Sequence, residues 1–486
     1  MKKHLLFWSF CLIYFLLGII NLDGLPVAWT DEIQGLDPAV QHLKTGTFKS
    51  IVWPNPNANE FFASYPPLWQ WIHRVNLSII PVEIFYIRLP YLIIHLGTLI
   101  FLYFTIIHKK KNEIIALLLI LLFSLDKTVF EISRSMRIDV PILLLVSAYA
   151  YIFQNHRQKN LRLIILSLLF FAHLYTWPFV LIFLWYEARK THFRNILFYF
   201  TIPFLILGII YLNGINYNLR LVWEQLGMQA NVHTLTSTSK PHNPLLNSLW
   251  YRFFPYYKEQ FLMYGIYVFL LIGLPIIIYK WKASLLRNPW ILAYIATTAL
   301  LFIVAAPQYR YLPFFLLLGI ITILQIPQIN SETRIFKIIC VVLIANSSLS
   351  FLGRHTAAII QSEERDPIPV YDFLSKYTKD SSTNQRLIVG SAICGYYTYR
   401  GRTGFNHLQY GIDFYPENWP ILSDSVYWFT HKSAPYARKI ATYTVNSNKL
   451  LPEWVYKFAK GKTYNGLTLY KVAYSDALKI REIPID

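Results

Sequence analysis

The sequence predicts an all-helical polytopic membrane domain followed by a small α/β domain outside the bilayer. Three observations carry that prediction. The chain of 486 residues is 55% hydrophobic and only 15% charged, whereas soluble domains carry about 25% charged residues. Several charge-free runs approach the ~20 residues a helix needs to cross a bilayer. Beyond residue 352 the long apolar runs stop, and short helical and strand-like segments take their place.

The first run, Leu5–Leu22, follows Met1-Lys2-Lys3 and lacks a small-x-small cleavage site, so it reads as a retained span. Basic clusters then recur at Lys2-Lys3, Lys109-Lys110-Lys111, Arg157/Lys159/Arg162, Arg189/Lys190/Arg194, Lys280/Lys282/Arg287 and Arg334/Lys337. Placing all six in the cytoplasm requires one apolar hairpin between each cluster and the next. The spans fall near 4–22, 84–107, 112–126, 139–155, 161–175, 177–193, 195–213, 259–279, 289–306, 310–327 and 335–352, about eleven in all. The N-terminus is then cytoplasmic and the tail external. Leu163–Tyr186 is charge-free over 24 residues, and a single span there would invert every later loop. Two short helices turning at Tyr175-Thr176-Trp177-Pro178 restore the alternation, with Pro178 at the start of the second, where its missing N–H costs nothing.

The transmembrane domain thus covers 1–352, with external loops 23–83 and 214–258. The first loop is rich in Trp, Tyr and Pro, as expected near a membrane interface. The second contains MQANVHTLTSTSKPHNP, a polar stretch without periodicity that reads as a mobile loop. An α/β domain covers 353–486. Within it VYDFLSKYTKD (370–380) has helical spacing, while RLIVG (386–390) and LTLYKVAY (467–474) read as strands.

The net charge of +19 does not point to nucleic acid, because the basic residues sit in short clusters between spans rather than on a compact domain. Cys11 and Cys340 lie in apolar runs and Cys394 in the tail, which excludes a disulfide framework and a cysteine zinc site.

On this topology Asp31-Glu32 opens the first external loop. EISRSMRIDVP (131–141) forms a second external corner with Arg134, Arg137 and Asp139, and PQYRYLP (307–313) a third element with Arg310. Ionisable groups at membrane depth cost roughly 2.5–3.5 kcal/mol each at a helix centre, so they usually line a cavity. Simpler roles are open for each. Asp31 with Gln34 could form a capping box, and Asp37-Pro38 reads as a helix cap followed by a first-turn proline. Asp139 could cap its helix, and Arg134 and Arg137 could be interfacial anchors. Aromatic residues such as Trp53, Tyr65, Trp69 and Trp71 suit an interfacial belt better than sugar stacking.

Taken in order, WTDEIQGLDPAVQHLKTGTF, SYPPLWQW, IRLPYLIIHLGTLIFLYF, RSMRID and QYRYLPFFLLLG resemble the integral-membrane glycosyltransferases of the C-type fold. The similarity is to bacterial relatives of the protein O-mannosyltransferases and of the transferase that adds aminoarabinose to lipid A. It covers about residues 1–325. The resemblance implies transfer of a sugar from a polyprenyl-phosphate donor to an acceptor hydroxyl, normally with inversion, in a bacterial inner membrane.

That chemistry needs a carboxylate base, which contributes typically about 10²–10⁴-fold, and the resemblance assigns it to Asp31. Glu32 would hold the acceptor or the sugar hydroxyls, and Asp139 would act as a second acid. Arg134, Arg137 and Arg310 would neutralise the leaving phosphate with forked donors. Tyr65 stands before Pro-Pro-Leu where relatives of the aminoarabinose transferase often carry Lys. His233 and Lys240, on the second external loop, could close over the carrier head group. Asp31, Glu32 and Asp139 could together hold Mg²⁺ but lack a defining spacing, so no cofactor is assigned. The acceptor is a lipid, a glycan or a protein, three alternatives between which the resemblance does not choose.

Three competing functions differ in what they demand. A transporter or flippase should show internal repeats and charges near the midplane, whereas here the charges lie at outer helix ends. A polysaccharide ligase or polymerase has no need of the early acidic pair. A scaffold predicts that Asp31→Asn is silent.

Overall fold

Apolar sequence and a few side-chain caps account for most of the helices. The structure is a computed structural model describing residues 4–26, 30–50, 67–155, 158–225, 288–300, 311–326 and 334–378. It also describes 267, 270, 273–276 and, in the tail, 386–389, 425–430, 437–445, 451–452, 454–455 and 465–473. Tyr65, His233, Lys240 and Arg310 lie outside the described residues, and of Asp31 the backbone alone is described.

The described helices before the 3-10 turn are α1 (Leu5–Ile19), α2 (Thr30–Thr45), α3 (Leu68–Leu77), α4 (Ile84–Lys110), α5 (Glu113–Ser124), α6 (Lys127–Ser133), α7 (Asp139–Gln154) and α8 (Lys159–Phe170). A 3-10 turn at Leu174–Thr176 leads into α9 (Trp177–Ala188). Next come α10 (Phe193–Ile196) and α11 (Ile202–Gly214), joined by a π turn at Leu197–Thr201. Then follow α12 (Pro289–Ala299), α13 (Leu312–Gln325), α14 (Arg334–Ile360), α15 (Ser362–Arg365) and α16 (Pro367–Thr378). Ile84–Lys110, Phe193–Gly214 and Phe336–Ile360 are long and apolar enough to cross a membrane.

Several helix starts carry the caps that their sequences suggest. The Asn112 side chain accepts the Ile115 N–H at the head of α5, and Asn288 accepts that of Trp290 just before Pro289 opens α12. Asp126 caps α6 by accepting the N–H groups of Thr128 and Val129, and takes a third bond from the Tyr267 hydroxyl. Each such side chain satisfies donors that a helix start leaves orphaned.

The core lies between α1, α4, α5, α7, α9 and the apolar α13, whose residues from Leu312 to Leu324 are all buried. Helices α4 and α7 run side by side, and a Cβ on Gly97 would sit 2.8 Å from a Leu144 methyl. The outer surface is apolar as well. Phe193, Leu205 and Ile209 point outward from the α10–α11 rod, as expected where the solvent is lipid.

The pair expected around Pro178 is present. Helices α8 and α9 have 12 residues each, about 18 Å long. Their turn is tied by Thr176, whose hydroxyl donates to the carbonyls of Leu169 and His173, and by the Trp177 indole N–H on the Phe170 carbonyl. At the far end of the pair Glu187 accepts from Arg162 and from the Tyr149 hydroxyl, both at 3.1 Å. Two expectations are corrected. Asp37-Pro38 does not cap or break a helix, since α2 runs straight through Pro38. An interior proline costs a helix about 3 kcal/mol. Burial of Leu36, Ala39 and Val40 opposes that cost, and Asp37 is itself buried, accepting the Ser50 hydroxyl at 2.6 Å. The last span likewise continues past 352, as α14 ends at Ile360.

In the tail, strands β1 (Arg386–Val389), β2 (Ser425–Thr430), β3 (Arg438–Thr442) and β4 (Thr468–Ala473) form one sheet in the order β1-β2-β4-β3. β1 and β2 are parallel and the other two pairings antiparallel, with a bulge between Lys439 and Ala441. Val370 and Leu374 of α16 share an apolar cluster with Leu469 of β4, Leu36 and Val40 of α2, and Met136. The sheet and α16 therefore brace α2 from behind.

Candidate functional site

One end of the helical bundle collects the last turn of α1, the starts of α4 and α7, and the corner between α6 and α7. The opposite end is marked by His4, Tyr103 and Glu113, joined by hydrogen bonds.

The chain leaving α1 exposes carbonyls that no helix bond satisfies. Arg134, the residue after α6, supplies the donors. Its Nε–H donates to Leu25, one terminal nitrogen to Leu17 and Gly18, and the other to Ile20 and Asn21, at 2.6–3.3 Å. A guanidinium has five N–H donors, so all of them are committed and the side chain is buried. Arg134, expected at the donor phosphate, here caps α1 and its following turn.

Arg88 does similar work one turn into α4. One of its nitrogens donates to the carbonyls of Leu22, Asp23 and Pro26. Its other two grip Glu32 side-on, at 3.0 and 2.7 Å. Glu32 also accepts the Met136 N–H at 2.9 Å and has no exposed surface. Expected to hold acceptor or sugar hydroxyls, Glu32 is here engaged by Arg88 and the Met136 N–H. A fully buried carboxylate matched to a guanidinium and an amide is a framework element.

The corner is held from the other side too. The indole N–H of Trp69, on α3, donates to the Met136 carbonyl at 3.1 Å. Helices α2 and α3 thus grip both polar groups of Met136, between Arg134 and Arg137. Glu32 and Met136 are 104 residues apart in sequence, so this bond ties the start of α2 to the corner before α7.

Asp139 begins α7 without capping it. Its Oδ2 accepts the Arg137 Nε–H at 2.8 Å, and its Oδ1 accepts the Tyr175 hydroxyl at 2.9 Å. The Tyr175 ring packs 5.0 Å from Tyr311 and 4.6 Å from His173, centroid to centroid. Tyr311 belongs to the third predicted element and follows Arg310 directly.

The structure thus brings the 134–139 corner together with the start of α2 and with Tyr311, and adds Arg88 and Tyr175. Among the described residues no group of three or more His, Cys, Asp or Glu is placed to hold a metal ion.

Residues 51–172 match the dolichyl-phosphate-mannose-protein mannosyltransferase family. The crystal structure of ArnT from Cupriavidus metallidurans in the apo state superposes with a TM-score of 0.52 at 9% identity, covering 98% of both chains. The same protein bound to undecaprenyl phosphate superposes equally well, with a TM-score of 0.52, 10% identity and 97% and 98% of the two chains covered. This chain has the C-type glycosyltransferase fold. No curated protein sequence matches it. The family model thus covers about a quarter of the chain, and the fold extends over nearly all of it.

Sequence reasoning gave Arg88 no role, although IRLPY was among the stretches that carried the resemblance. The usable signal was Glu32 itself, since a buried carboxylate near the start of a span demands a guanidinium partner. Tyr175 was read for its place in a turn, and nothing local to that turn announces Asp139.

Proposed function

We propose that this protein transfers a sugar from a polyprenyl-phosphate donor to an acceptor hydroxyl, with inversion, at the end of the bundle where α2 meets the 134–139 corner. The observation that carries the reading is the bond from Met136 N–H to Glu32, because it ties the start of α2, and with it the Asp31 backbone, to the turn bearing Arg137 and Asp139. The ArnT structure with undecaprenyl phosphate supports the donor class, as that protein shares the fold.

In this reading Asp31 is the base. It takes the proton of the acceptor hydroxyl as the oxygen attacks the anomeric carbon, and the bond to the carrier phosphate breaks. Arg137 and Arg310 stabilise the charge on the departing phosphate, where forked donors suit its geometry. Asp139 orients the acceptor as the second acid. Tyr65, His233 and Lys240 remain proposed contacts to the carrier head group. About eleven spans with a cytoplasmic N-terminus put the reaction on the extracytoplasmic face of a bacterial inner membrane.

The test is sugar transfer by purified protein supplied with polyprenyl-phosphate sugars, comparing wild type with Asp31→Asn and Asp139→Asn. Asp31→Asn should fold and lose at least about 10²-fold in turnover. An Asp31→Asn protein that turns over at the wild-type rate removes Asp31 from the role of base.

A further inference from the structure

Asp139 has two partners of different kinds. Arg137 lies two residues away in the same turn, so its bond to Oδ2 is local. The bond to Oδ1 reaches across 36 residues, from a tyrosine in the short 3-10 turn between α8 and α9. That turn is braced from behind by the Thr176 hydroxyl on two carbonyls. Tyr175 is buried, and its ring touches Tyr311, Phe314 and His173.

A carboxylate held at one oxygen still turns about its broad terminal torsion. Held at both oxygens by donors from two separate elements, it keeps one orientation. We propose that Tyr175 is a positioning residue of the transfer site, its hydroxyl fixing the plane of the Asp139 carboxylate and its ring fixing Tyr311 beside Arg310. The proposal rests on the sugar-transfer reading, in which Asp139 orients the acceptor. Misplacing a reacting group by about 1 Å can cost roughly 10²-fold in rate, so a small slackening here has a large kinetic effect.

Tyr175→Phe tests it, since this change removes one oxygen and keeps the ring contacts. With rates counted per folded molecule, kcat should fall by about 10–100-fold while KM for the donor stays within about twofold. In an Asp139→Asn background Tyr175→Phe should cost nothing further, because the group it positions is gone. An unchanged kcat overturns the proposal. So does a raised KM with kcat intact, which would make Tyr175 a donor-binding group, and so does an equal loss in both backgrounds. Thermal unfolding of the four proteins gives a readout that needs no turnover. Coupling between Tyr175→Phe and Asp139→Asn upholds the contact, and strict additivity overturns it. If the wild type transfers no sugar from any polyprenyl-phosphate donor tried, the functional reading fails, and this unfolding cycle alone decides the place of Tyr175.

Discussion

Arg88 and Glu32 meet through two charge-assisted hydrogen bonds, and neither side chain has any exposed surface. This pair joins α4 to α2 and, through the Met136 N–H, to the corner before α7. A bidentate pair can be worth its desolvation only when its remaining donors and acceptors are satisfied, and here the backbone carbonyls of Leu22 and Pro26 take the guanidinium nitrogen that Glu32 does not.

Glu32→Gln keeps the shape and one acceptor oxygen but leaves the Arg88 cation buried without its counter-charge. Loss of one partner of a buried pair costs about 3–5 kcal/mol. A marked fall in melting temperature in detergent is expected, and Arg88→Lys should cause a similar one. In a double-mutant cycle the two changes should couple by roughly 0.5–3 kcal/mol. Strictly additive losses would show that the two residues act apart.

Arg134 and Arg137 are three residues apart and should respond in opposite ways. Lysine has three donors where arginine has five, and Arg134→Lys loses the planar fork that reaches all five carbonyls at once, although Leu17 also accepts from His355 and Asn21 from the Leu25 N–H; each carbonyl left unpaired costs about 1–3 kcal/mol. Stability should drop while the affinity of the folded protein for polyprenyl phosphate holds. Arg137→Lys should instead weaken transfer more than stability. Thermal unfolding and lipid-phosphate binding on both variants check this, and weakened binding by a stable Arg134→Lys protein would return that residue to the donor site.

These contrasts mark what the sequence could and could not say. Apolar runs located most of the described helices, because the backbone dictates them within one segment. The turn before Pro178 was legible for the same local reason. The meeting of Asp31-Glu32 with RSMRID was legible only as a shared depth. Which arginine would pair and which would cap was hidden, because carbonyls of 17–25 find their donor at Arg134, more than a hundred residues on. Such long-range choices between a ligand and a cap leave no periodicity. Pro38 misled because its local cost is real and only the burial around it shows why the helix survives.

Lys127, at the head of α6 outside the spans, supplies a pH signature. Burial and the nearby Arg354 push its ammonium from 10.5 down to about 8, against the pull of Glu131 and Asp126. Between about pH 8 and 10.5 the unfolded chain therefore binds the proton that the folded chain has released, and stability rises with pH across that window. Below about pH 8 both states are protonated and the folded state bears the full cost. Lys127→Met should raise stability at pH 7, by up to a few kcal/mol, and flatten the rise above pH 8. Melting temperatures of both proteins across pH 7–10 check it, and parallel curves would remove Lys127 from the account.

The tightest approach in the site's framework is between Gly35 and Trp69. A Cβ at 35 would lie 2.1 Å from Cζ2 of the indole, and Trp69 is buried with no room to swing away. Gly35→Ala therefore has to part α2 from α3. Overpacking of this kind typically costs about 1–3 kcal/mol. The effect should reach the chemistry, because Trp69 holds the Met136 carbonyl and α2 holds its N–H through Glu32. Transfer per folded molecule should fall along with the melting temperature. Trp69→Leu alone leaves a cavity and takes one donor from the Met136 carbonyl, but in the Gly35→Ala background it also makes the missing space. The double variant should thus be more stable than the sum of the two single losses predicts, and unfolding curves for the four proteins measure that difference directly. If the losses simply add, Gly35 is not where α2 and α3 touch.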